Sequence, residues 1–192
     1  PITTLVAYLY RQSDLAREVA STQNLKGAYA MVSTGLGLNV AQLKSNPMQD
    51  VAVYNITQQV VHTVELLSAS YQIDASDTQN AKDFHAHTFG QIAQTLSAPI
   101  VTQNTINIEK IVQQMQVVPY QGKDMSISED KTQFIQEYVK EVQNIIEKES
   151  DTTHLESMQF DMNKIMKDAT TEMREGNIPT DVTKNLSNYQ PA

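Results

Sequence analysis

Four histidines and no cysteine bound the side-chain chemistry of this 192-residue chain. Without cysteine there are no disulfides, thiolate nucleophiles or thiolate metal sites. The densest candidate is the run Asp83, Phe84, His85, Ala86, His87, which sets a carboxylate beside two imidazoles. On a strand His85 and His87 would share a face and could grip one metal ion. On a helix they point about 200° apart and cannot. The row Ala81, His85, Phe89, Ile92, Leu96 steps by three and four, so a helix is expected, with His85 half-buried on the apolar row and His87 solvated.

Asp151 and His154 have the carboxylate-x-x-His spacing of one half of a bundle metal site. No second pair lies in a matching helix, so Asp151 or Thr152 reads as a helix cap and His154 as exposed. No G-x-S-x-G elbow, Walker loop, kinase signature or EF-hand loop occurs. The chain is therefore expected to be no enzyme and to need no cofactor or metal.

The glycine-rich stretch at residues 27 to 47 raises a phosphate-binding loop as another possibility. A dinucleotide loop would need a third glycine where Val40 stands and a strand ahead of it, and neither is evident. The apolar residues instead repeat at helical spacing through Leu15, Val19, Leu25, Tyr29, Val32, Leu36, Val40 and Leu43, with Thr22 filling the one gap. Read as one helix of about 40 residues, this segment would span roughly 60 Å, more than a domain of this size needs. Alongside runs a row of small residues: Ala16, Ala20, Gly27, Ala30, Thr34, Gly37 and Ala41. From Gly27 to Ala41 it offers a face for close self-association. A turn at Gly35 to Asn39 is the structural competitor, since each mid-helix glycine costs about 1 kcal/mol.

Asn46, Pro47, Met48 and Gln49 carry the signature of a helix start, followed by the core row Val53, Ile56, Val60, Val64, Leu67, Tyr71. Ser76 with Gln79 repeats the capping pattern, and Pro99 closes that helix. Ile108, Ile111 and Met115 fall on one helical face, while Thr105 to Ile108 also suits a short strand. Residues 1–118 thus form an N-terminal helical region and 119–127 a connection. The span 128–175 reads as an acidic antiparallel helical hairpin, and 176–192 as a polar tail. The hairpin rows are Ile135, Tyr138, Val142, Ile145 and Met158, Met162, Ile165, Ala169, with Ser128 capping the first. Met158, Met162, Ile165, Met166 and Met173 are the alternative lining of a groove for a partner helix, against the plainer reading as core.

The formal charge of -8, with no Lys/Arg cluster, argues against nucleic acid or an anionic bilayer as partner. The uncharged window from Gly27 to Leu43 is at the short limit for a membrane span and holds Ser33, Thr34, Asn39 and Gln42, so insertion is not expected. Pro1 is followed by no basic and apolar leader pattern, which suits a cytoplasmic protein or one exported without a cleaved leader. The expectation is an all-α, long-helix bundle: a non-enzymatic structural subunit that self-assembles into a filament, ribbon or sheath. The alternative is a helical binding module, an adaptor, secretion chaperone or sensor bundle, that captures a partner protein.

Overall fold

The computed structural model describes residues 1–17, 21–149 and 151–189, and the side chains of 12–24 lie outside that description. In chain order the described residues form helices α1 (Ile2–Arg17), α2 (Ser21–Leu36), α3 (Val40–Leu43), α4 (Val51–Ser70) and α5 (Thr78–Thr95). A hairpin of β1 (Val101–Thr102) and β2 (Thr105–Ile106) follows, then α6 (Ile108–Val117), α7 (Glu129–Glu147), α8 (Leu155–Arg174) and α9 (Thr180–Ser187). The class is the expected all-α bundle.

Helix α4 is its axis. Asp50 caps it, its side chain accepting from the Val53 N–H at 3.1 Å. Sixteen of its 20 residues are buried, so it is enclosed all round rather than along one stripe. Helices α5, α7 and α8 pack on it, α6 bridges α5 and α7, and α1 joins α2 to α5. The expected start at Asn46 is instead a single 3-10 turn, Pro47–Gln49, with Asn46 accepting from the Met48 N–H. The α4 helix begins one turn later. Its row Val53, Ile56, Val60, Val64 and Leu67 is buried as expected.

The long first helix is not formed. Two helices of 16 residues stand in its place and pack against each other. Helix α2 stops at Leu36 because Gly37 turns left-handed, at φ 69°, and its N–H closes on the Ser33 carbonyl at 2.9 Å. The Ser33 hydroxyl donates to the Leu38 carbonyl. Asn39 then opens α3 with a reciprocal capping box to Gln42. The turn was the better reading. The side chains of Leu15, Ala16, Val19, Ala20 and Thr22 lie outside the described residues.

Gly35, absent from the small-residue row, makes the close approach. A Cβ there would sit 2.4 Å from Leu96 Cδ2 and 3.0 Å from its Cα. That contact seats the end of α2 on the end of α5, and the Ile100 N–H donates to the Gly35 carbonyl at 2.9 Å.

The two helices of near-equal length expected in the acidic half are α7 and α8, 19 and 20 residues long. Both pack along α4 and not closely on each other as the expected antiparallel hairpin would, and α9 packs against both. The tail contributes to the core through α9, where Val182 and Leu186 are buried. Next to it, the Tyr189 hydroxyl donates to Asp161 Oδ2 at 2.9 Å. Polar composition hid that role, because only two of its eight positions face inward.

Candidate functional site

The residues first considered for chemistry do not converge. His85 and His87 lie on α5, on different sides as helical geometry requires. His85 is half-buried, as expected, with Nε2 3.7 Å from Glu65 Oε1. His87 is not solvated. It is partly buried with its ring centroid 5.1 Å from that of Tyr120, and burial holds its pKa below the usual histidine range. Asp151 does not cap α8: its Oδ1 accepts from the Thr153 N–H at 2.9 Å within the preceding loop. His154 occupies the cap position and makes no side-chain cap bond. Its Nδ1 lies 3.5 Å from Glu149 Oε2. Among the described residues no group of three or more metal-binding side chains comes together, and no helix is long and apolar enough to cross a membrane.

Met158, Met162 and Met173 are fully buried beneath α4 and α9 and are spent on the chain's own core. Ile165 and Met166 are half-buried at its margin. Helix α9 packs against α8, the helix that carries them. Of the small-residue face, Gly27, Ala30, Thr34, Gly37 and Ala41 are all exposed, and among the described residues nothing lies within 4 Å of a Cβ built at Gly27 or Gly37. The face is split by the turn, so Gly37 and Ala41 no longer continue the α2 row.

The site that the rows did not reveal is a groove of ≈ 1190 Å³ between the β-hairpin, α6 and α7. Its position follows from how the hairpin is held. Gln103 and Asn104 form a two-residue turn with φ of 51° and 65°, the left-handed geometry that suits the twist of paired strands. The outer edge of β2 is closed by side chains rather than by a third strand. Gln59, fully buried on α4, accepts from the Ile106 N–H at 2.8 Å and donates to the Asn104 carbonyl at 2.8 Å. Asn55 supports it, receiving from Gln59 Nε2 at 2.9 Å and donating to the same Asn104 carbonyl at 3.0 Å. From α7, Gln136 donates to the Ile106 carbonyl and accepts from the Ile108 N–H, each at 2.9 Å. An unpaired strand edge invites another strand, and these amides remove that invitation.

Beyond this closed edge the groove walls are two helix faces. Glu109, Gln113 and Gln116 step along α6, while Gln133, Gln136, Lys140, Asn144 and Glu147 step along α7. Gln143 lies deeper, only 6% exposed, with its Oε1 accepting from the Thr105 hydroxyl at 3.2 Å. Its Nε2 donates to nothing within the described chain. Gln113, Gln116, Gln133 and Asn144 likewise make no hydrogen bond there, leaving amides that offer both donor and acceptor to a ligand. The floor is polar with apolar patches at Val112 and Ile127. Three carboxylates, at Glu109, Glu129 and Glu147, outnumber the one cation, Lys140.

The sequence does hold the signal, as amides at three- and four-residue spacing on two amphipathic helices. It reads as solvated surface until α6 and α7 are placed side by side. Compared with protein-family models, curated proteins and solved structures, the chain finds no match.

Proposed function

We propose that the protein is a non-catalytic helical binding module that captures a partner protein in the groove between the β-hairpin, α6 and α7. One observation carries the reading: an open groove lined by uncommitted amides. Concave sites with convergent polar groups are the usual places for ligands. The residues around it include no nucleophile paired with a base, so binding rather than turnover is the chemistry they support. The filament reading loses its main support, because the surplus helix length that asked for a partner is absent.

Self-association remains a second reading on a separate observation. Gly27, Ala30, Met31 and Thr34 form an exposed, uncharged face on α2, with Met31 36% exposed. Two substitutions separate the readings. Partner recovery from the cell of origin is compared for the wild-type chain, Gln133→Trp and Ala30→Trp, alongside the mass of each purified chain by light scattering. A polypeptide lost with Gln133→Trp and kept with Ala30→Trp supports the groove. Open-ended assembly abolished by Ala30→Trp alone would favour self-association.

A further inference from the structure

The groove does more than offer polar atoms: a glutamine in its wall and another in the core behind it already bind main chain. Gln136 takes one carbonyl and one N–H of the segment Ile106 to Ile108, and Gln59 does the same for Asn104 and Ile106. A carboxamide is complementary to a peptide group, one donor and one acceptor against one acceptor and one donor. Gln143 is almost fully buried at the groove floor, and its amide N–H₂ makes no hydrogen bond within the described residues yet is not sealed off from solvent, so a donor stays open to a ligand carbonyl.

Two further observations narrow the ligand. Among the described residues no aromatic ring lines the groove, which removes the stacking surface that sugars and bases favour. Carboxylates exceed cations three to one along it, which favours a neutral or basic ligand. The lining face of α7 from Glu129 to Glu147 rises about 27 Å, the reach of roughly eight residues of extended chain.

Resting on the binding-module reading above, we infer that the groove takes an extended, neutral-to-basic polypeptide segment, its peptide groups read by the amides of Gln133, Gln143 and Asn144. Side-chain amides thus extend to a second chain the work that Gln59 and Gln136 do on β2.

The test uses four probes on the full chain: a fluorescent alternating Thr/Lys octapeptide, its form methylated on alternate backbone nitrogens, a Thr/Glu octapeptide and a linear glucan hexasaccharide. Binding is read by anisotropy for the peptides and by side-chain amide chemical shifts for all four. The Thr/Lys peptide is expected to bind and to shift the amides of Gln133, Gln143 and Asn144. Backbone methylation and the Glu replacement are each expected to weaken binding about tenfold. Gln133→Ala, at an exposed position, and Gln143→Met are each expected to weaken it about fivefold, with unfolding transitions measured alongside to confirm the fold. Equal binding of the methylated peptide, or groove shifts with the saccharide in place of the peptide, would overturn the main-chain assignment and leave the groove as a binding site. Silence of every groove amide with all four probes would overturn both.

Discussion

The buried amide of Gln59 on α4 and the main-chain N–H of Ile106 on β2 meet at 2.8 Å, across 47 positions of sequence. That bond and its companion to Asn104 make a core helix the anchor of a surface hairpin. The groove's end wall therefore inherits the rigidity of α4, the most enclosed helix of the bundle.

Replacing Gln59 with Leu should consequently destabilise the whole fold, not merely loosen the hairpin. It orphans the Ile106 N–H in a fully buried setting and removes one bond to the Asn104 carbonyl and one to Asn55, for a loss of about 2–4 kcal/mol. Urea unfolding measures it. A loss under about 0.5 kcal/mol would mean that the hairpin is held by something else.

Two glycines of α2 should respond to alanine with opposite signs. At Gly27 the added methyl meets open space and gains helix propensity, stabilising by about 0.5–1 kcal/mol. At Gly35 it would strike the backbone and side chain of Leu96, destabilising by roughly 1–3 kcal/mol. Thermal unfolding of Gly27→Ala and Gly35→Ala compares them directly, and equal shifts would contradict this packing.

Stability should fall in acid through His62. This imidazole is fully buried on α4, its ring centroid 5.5 Å from that of Tyr138, and neither ring nitrogen has a hydrogen-bond partner among the described residues. Burial lowers its pKa from 6.5 to about 4. The unfolded chain therefore binds a proton that the folded chain refuses, so the contribution is complete above pH 6.5 and is lost as pH falls towards 4. The size is about 3 kcal/mol. Unfolding free energies at pH 7 and pH 4 should converge by about that amount in His62→Leu. An unchanged pH dependence would assign the acid loss to other groups.

How much of this was legible depended on whether a residue's role was local. The row Ile135 to Ile145 on α7 is buried as its spacing requires, since one helix face meets one core, and the row Val53 to Leu67 on α4 is buried within a helix enclosed all round. The row Leu36, Val40, Leu43 kept the same spacing across the turn at Gly37. A three-four step does not report the φ of Gly37, so two helices and a turn read as one helix. His62 and Gln59 were invisible for the opposite reason. They are polar residues on a helix buried on all sides, where inward and outward have no sequence pattern. The groove depends on α6 and α7 meeting across the β-hairpin, a relation between segments that neither helix's own periodicity contains.

The claim that the groove holds a polypeptide is tested most directly by a photo-crosslinking amino acid placed at Gln133, and separately at Ala30, in the full chain within its cell of origin. The account predicts a discrete adduct with another protein from position 133, suppressed by excess Thr/Lys octapeptide in lysate, and none of that mass from position 30. Adducts only between copies of this chain, arising from position 30 while position 133 stays silent, would contradict it.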